Sequence, residues 1–174
     1  GHVDDEHLDE LLEELEKVIG HVEAGEIAAD DGIEEIETIM EDEAIVLGLA
    51  DAGAHVGQIM DSSQPTYFLS HWVRDTEFFT LEEGVRRITS DTADLFGLTD
   101  RGRIAEGAYA DINVIDFDRL SLSGPEYVHD FPGGAGRYIQ RGTGYDATIV
   151  NGKIFMEDGQ HTGELAGVTL RSTD

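Results

Sequence analysis

Ala44-Ile45-Val46-Leu47-Gly48-Leu49-Ala50-Asp51-Ala52-Gly53-Ala54-His55 is the stretch on which the fold turns. An uncharged apolar run from Ala44 to Leu49 reads as a short strand covered on both faces, because a strand buried on both sides has no reason to alternate. The small and glycine residues that follow read as a turn. Polar groups just past the C-terminal end of a buried strand, here Asp51 and His55, are where α/β barrels and doubly wound sheets place their chemistry.

Upstream of this run the pattern is helical. Leu8, Leu11, Leu12, Leu15, Val18, Ile19 and Val22 recur at intervals of three and four, which predicts an amphipathic helix over residues 4–22. A second helix is expected over Asp31 to Glu43, with Ile33, Ile36, Ile39 and Met40 as its apolar stripe and Asp30 or Asp31 as N-cap. The acidic residues of this region read as a solvated helix face rather than an interaction tail.

Downstream, Thr66 to Arg74 reads as a helix of mixed aromatic character. Thr80 with Glu83 forms a capping-box signal that opens another helix running to about Ser90, and a further turn is expected over Asp91 to Phe96. Beyond Gly102 the texture changes to β. Strands are expected within Ala110 to Phe117, Arg137 to Gln140, Ala147 to Val150 and Lys153 to Glu157. Asn151-Gly152 between the last two predicts a hairpin, since both residues tolerate the left-handed conformation such turns need.

Charge narrows the choice of partners. The 174 residues carry 38 acidic and 11 basic side chains, a formal net charge of -27. Such a surface repels phosphate, which argues against nucleic acid and anionic membranes as partners. Lys17 and Lys153 are the only lysines. A surface this acidic and this poor in lysine suits a salt-adapted source, with an acidic mesophile as the other reading. There is no cysteine, hence no disulfide, thiolate ligand or thiol nucleophile. No apolar run approaches the roughly 18 residues that span a bilayer, and the first ten residues are acidic rather than a basic leader. The expectation is a soluble, cytoplasmic chain.

The segment Gly48 to His55, followed by Ser70-His71-Trp72-Val73-Arg74, the helix Leu81 to Ser90 and the run Leu98-Thr99-Asp100-Arg101-Gly102-Arg103-Ile104-Ala105-Glu106-Gly107-Ala108-Tyr109-Ala110-Asp111-Ile112, resembles the amidohydrolase superfamily, in its D-aminoacylase or N-acyl-D-amino-acid deacylase branch. Ile149 to Lys153 and Asp158 to Gly163 continue the match, so that the likeness covers about residues 44 to 171. The resemblance implies an α/β fold, the C-terminal part of a (β/α)8 metal-dependent hydrolase barrel followed by strands of a small β-sandwich. Three parts are then expected: acidic helices over 1–43, the last barrel strand and its helices over 44–103, and a β-rich segment over 104–174.

The activity so implied is hydrolysis of an amide C–N bond, most directly in N-acyl-D-amino acids, by a zinc-activated water. Hydantoin or dihydropyrimidine rings are the alternative substrates. The family's acid/base aspartate at the end of the last barrel strand falls on Asp51, which is also a candidate metal ligand. A carboxylate beside a metal-bound water is a competent general base.

His55 is a candidate substrate contact. Arg74 is a candidate partner for a substrate carboxylate, with a surface ion pair as the simpler account. His71-Trp72 reads as a packed helix face, and His129-Asp130-Phe131-Pro132-Gly133-Gly134 as a structural loop. The metal-binding His-x-His pair of the family occurs nowhere in this sequence. A zinc centre needs three or four converging ligands, so Asp51 and His55 do not make one unaided. The expected partners are a small amide, and the missing N-terminal barrel portion or a second copy. The competing reading is a non-catalytic remnant serving as an assembly module.

Overall fold

The computed structural model describes residues 29–171 apart from Leu49, Asp51, Ala54, Ile59 and Met60. The helix expected over residues 4–22 lies outside the described residues. Two compact units divide the chain, Gly1–Val46 and Leu47–Asp174.

In the first unit, helix α1 spans Ala29–Met40. It starts ahead of the expected caps, so that positions 30 and 31 fall within its first turn. Asp42 stops the helix by turning back on the chain. Its carboxylate accepts from Ala44 N–H at 2.8 Å and its carbonyl from Ile45 N–H at 3.1 Å.

The expected buried strand is corrected here: Ile45 to Gly48 belongs to no strand ladder and is half-buried to exposed. A parallel strand exists only where neighbouring strands accept and donate its backbone bonds. Every ladder among the described residues is antiparallel and lies between residues 112 and 161.

In the second unit, a 3-10 turn at Asp61–Ser63 leads into α2, Gln64–Tyr67, which Pro65 opens from its first turn. The helix then widens to i→i+5 bonding over Phe68–Asp75 and closes with Thr76 N–H donating to His71 O at 2.9 Å. This wide helix buries Phe68, Leu69, Ser70 and Val73. Phe79 folds back against Phe68, ring centroids 5.6 Å apart, and the Arg87 guanidinium lies 4.5 Å over the Phe79 ring. These apolar and aromatic contacts form the helical part of the core.

Helix α3, Leu81–Ile88, begins as expected at Thr80, whose hydroxyl accepts from Glu83 N–H at 3.2 Å. Only half of the capping box forms, because the Glu83 carboxylate bonds the Arg87 guanidinium at 3.1 and 3.2 Å instead. Helix α4, Ser90–Leu95, ends in a Schellman motif: Leu98 N–H reaches Ala93 O at 2.8 Å and Gly97 N–H reaches Asp94 O at 3.1 Å. The chain then presses Gly102 against this helix. At φ +77 a Cβ there would stand 2.6 Å from the Ala93 Cβ and 3.0 Å from Thr89 O.

The β part holds β1 (Ile112–Ile115), β2 (Ser121–Leu122), β3 (Glu126–Val128), β4 (Arg137–Ile139), β5 (Gly142–Thr143), β6 (Tyr145–Val150), β7 (Lys153–Glu157) and β8 (Gln160–His161). The main sheet has the order β1-β6-β7-β8, and β2-β5 and β3-β4 form two-stranded ribbons. The expected hairpin is present: Asn151 (φ 49) and Gly152 (φ 77) join β6 to β7 with both residues left-handed. Between β1 and β2, Asp116 caps a turn over Phe117–Arg119 that delivers Leu120 into full burial.

Candidate active-site region

The loop that carries the sequence candidates is held by backbone bonds. Gln58 N–H donates to His55 O at 2.7 Å, and Tyr138 N–H, from β4, donates to Val56 O at 2.9 Å. The second bond seats the loop on the β3–β4 ribbon. Between them lies a recess of about 330 Å³, lined by Gly53, Val56, Ser62, Arg137, Tyr138 and Gln140. Asp51, the candidate acid/base and metal ligand, lies outside the described residues. His55 is exposed on the loop.

The wall opposite the loop is polar. Arg137 forms a two-pronged ion pair with Asp130, Nε to Oδ1 at 2.9 Å and Nη2 to Oδ2 at 2.8 Å. The guanidinium holds the Asp130 carboxyl below the usual carboxylate range, and the carboxylate raises the Arg137 value in return. Arg137 also lies 5.3 Å over the Phe131 ring. The His129 Nδ1–H donates to Gly134 O at 3.0 Å, and Phe131 N–H donates to Ala135 O at 3.2 Å. The segment His129 to Gly134 is thus closed upon itself as a structural loop at the rim of the recess. On its far side, Gln140 accepts from the Ser63 hydroxyl and donates to Ser123 O at 2.9 Å, which ties the start of α2 to the ribbons.

The remaining candidates fall on packing. His71 stacks on Tyr67 with centroids 4.9 Å apart and meets the Trp72 ring edge-on at 4.9 Å, and Trp72 meets Phe78 edge-on at 5.7 Å. Arg74 is engaged by groups of this chain. Its Nε bonds Asp75 at 2.7 Å and its Nη1 donates to Phe117 O at 3.0 Å and to Leu120 O. It therefore fastens the wide helix to the turn behind β1.

A second cleft, of about 680 Å³, was not expected from the sequence. Leu81, Val85 and Ile88 of α3 face Leu69 of the wide helix and Ile112 and Ile115 of β1 across it. The i, i+4, i+7 spacing on α3 is the signal that marks this apolar face, and Leu81 remains 46% and Val85 41% exposed. The charged side chains of Glu82, Arg86, Arg103 and Asp111 border this apolar face.

Nor do the described residues assemble a metal centre: among them, no three His, Asp or Glu side chains converge. Among the same residues, no helix is long and apolar enough to cross a membrane.

Comparison with known proteins gives this arrangement a family. The model of the amidohydrolase family matches residues 12–156. An N-acyl-D-glutamate deacylase of Alcaligenes xylosoxydans xylosoxydans is 49% identical over 55 residues, 32% of this chain and 11% of the relative. A D-aminoacylase of the same organism is 33% identical over 105 residues, 60% of this chain and 20% of the relative. A solved structure of a D-aminoacylase mutant in complex with copper chloride superposes with a TM-score of 0.50 at 32% identity, covering 62% of this chain and 21% of that one. The chain therefore spans about a fifth or less of the length of these relatives, and it belongs to the amidohydrolase family, on the D-aminoacylase branch.

Proposed function

We propose that this chain is the C-terminal portion of a metal-dependent amidohydrolase that hydrolyses the amide bond of N-acyl-D-amino acids. The family match over residues 12–156, together with relatives named as D-aminoacylase and N-acyl-D-glutamate deacylase, carries the reading. The solved relative with copper supports a metal cofactor, and zinc is the metal proposed here. On this reading residues 44–103 close a (β/α)8 barrel and residues 104–174 belong to a small β-sandwich. Residues 1–43 add acidic helices.

The described residues do not fit a complete metal centre, and the sequence contains no His-x-His pair. The ligands are proposed to come from the polypeptide that makes up the rest of the barrel. What this chain contributes is Asp51. Its carboxylate takes the proton of the attacking water at one oxygen and returns it to the departing amine, so one group serves as base and then as acid. His55, four residues on and exposed, is proposed to contact substrate.

The absence of a converging ligand set among the described residues also favours a second reading, a non-catalytic module that assembles with another chain. A substrate panel distinguishes the two. The natural full-length polypeptide, supplied with zinc, is expected to release amine from N-acetyl-D-glutamate and other N-acetyl-D-amino acids in preference to their L-enantiomers. Release from hydantoin or dihydropyrimidine rings alone would replace the substrate class. No hydrolysis across the panel would leave the assembly module standing.

A further inference from the structure

The turn between β6 and β7 carries a reaction of its own. In an asparagine-glycine pair the backbone nitrogen of the glycine can approach the asparagine Cγ, because glycine presents no side chain to obstruct the closing ring. In the native turn both the nucleophile and the leaving group are held elsewhere. Gly152 N–H, the nucleophile, donates to Ala110 O at 2.9 Å. The Asn151 Nδ2 amide, the leaving group, donates to Ala166 O at 2.6 Å. Asn151 N–H donates to the Asp111 carboxylate at 2.7 Å, which fixes the left-handed backbone of the turn. The Asn151 Oδ1, where negative charge develops during attack, is buried and accepts no hydrogen bond among the described residues. An oxygen without donors gives no stabilisation to that charge.

We propose that Asn151 is a deamidation site gated by the fold, silent while β6–β7 is clamped to Ala110, Asp111 and Ala166 and reactive when that clamp opens. In the open turn the Gly152 nitrogen forms a bond to Asn151 Cγ. The Cγ–Nδ2 bond breaks, and the proton lost from Gly152 N leaves with the amide as ammonia. Water then opens the resulting five-membered imide at either carbonyl, giving aspartate or isoaspartate at position 151. The new carboxylate sets an acceptor oxygen where the Nδ2 amide donated to Ala166 O, in a chain already at -27, and isoaspartate lengthens the backbone of a two-residue turn. Either product opposes reclosure, so time spent in the open form accumulates as a lasting chemical mark.

The test is peptide mapping by mass spectrometry after incubation in warm, mildly alkaline buffer, comparing the folded chain with the same chain in urea. Loss of the Asn151 amide is expected to be at least about tenfold slower in the folded chain, since exchange through local opening scales with the population of the open form. Asp111→Ala, which removes one arm of the clamp, should move the folded rate toward the unfolded one. Should that variant fail to fold, hydrogen exchange of the wild-type Gly152 amide serves instead, with protection expected. Equal rates in folded and unfolded chain, an unprotected Gly152 amide, or an Asn151 that stays intact in urea would overturn the proposal.

Discussion

Arg74 shows how a residue that invites a functional reading from sequence acquires a structural one from geometry. Its guanidinium spans from the wide helix to the carbonyls of Phe117 and Leu120, and Leu120 is the fully buried side chain beneath that turn. Arg74→Lys keeps the charge but loses the planar fork that reaches two carbonyls and a carboxylate at once. Thermal unfolding of Arg74→Ala and Arg74→Lys should therefore show both below wild type by several degrees, and a lysine variant at the wild-type midpoint would contradict the tether.

Four exposed arginine–aspartate pairs contribute to the acid limb of stability. The carboxyls of Asp75, Asp94, Asp116 and Asp130 all lie below their ordinary range, in each case chiefly through a hydrogen bond from an arginine, namely Arg74, Arg103, Arg119 and Arg137. A carboxyl whose folded value is depressed adds stability that is present above its unfolded value and lost as pH falls through the folded one. The melting temperature should thus change little from neutrality to about pH 5 and fall below about pH 4. These groups are exposed, so the fall should be gradual and should lessen in high salt. Of the residues singled out from sequence, Asp51 takes its proposed role from family likeness, since an aspartate just past an apolar run reads equally as a cap or turn residue.

At the scale of elements, what could be read from the sequence is what local chemistry dictates. Asn151-Gly152 marks its hairpin because a two-residue left-handed turn selects those side chains, and Thr80 marks the start of α3 because its hydroxyl has an orphan amide to accept from. The run Ala44 to Leu49 misleads for the opposite reason. Its apolar character is local, but membership of a ladder depends on partners far along the chain, and none pairs with Ile45 to Gly48 among the described residues. Strand β3 is absent from the expected set although β4, equally three residues long, is in it, and the two-residue strands β2, β5 and β8 are too short to leave a periodic pattern. The widening of the helix at Phe68–Asp75 leaves none either, because a stripe at three and four fits both bonding patterns. Packing adds a prediction that sequence could not make. Gly102→Ala would push a methyl onto the Ala93 Cβ in a left-handed conformation that costs an L-residue about 1–2 kcal/mol before any clash. A melting temperature lower by several degrees is expected, and an unchanged one would mean that this loop is not pressed against α4.

For the molecule as a whole, charge is the feature that composition shows most plainly. A chain at -27 repels itself in dilute buffer, and counterions relieve that repulsion in both screening and hydration. The melting temperature should rise steadily across a series of increasing salt. A flat or falling midpoint would remove the idea of a salt-adapted surface.

Family membership was legible because several separate motifs occur in the family's order, whereas the reacting centre is a proposal that rests on that likeness. The sequence contains the acid/base candidate without the His-x-His pair, and the recess beside Gly53 and Val56 is walled by the β3–β4 ribbon, whose Arg137–Asp130 pair no spacing rule connects to that loop. The proposed reaction depends on Asp51 as the group that moves the proton. The most direct measurement is turnover of an N-acyl-D-amino acid by the natural full-length polypeptide and by its Asp51→Asn variant, at saturating substrate and with metal supplied. Removing a general acid/base should lower kcat by about 10²- to 10⁴-fold. A variant that turns over at the wild-type rate would contradict it.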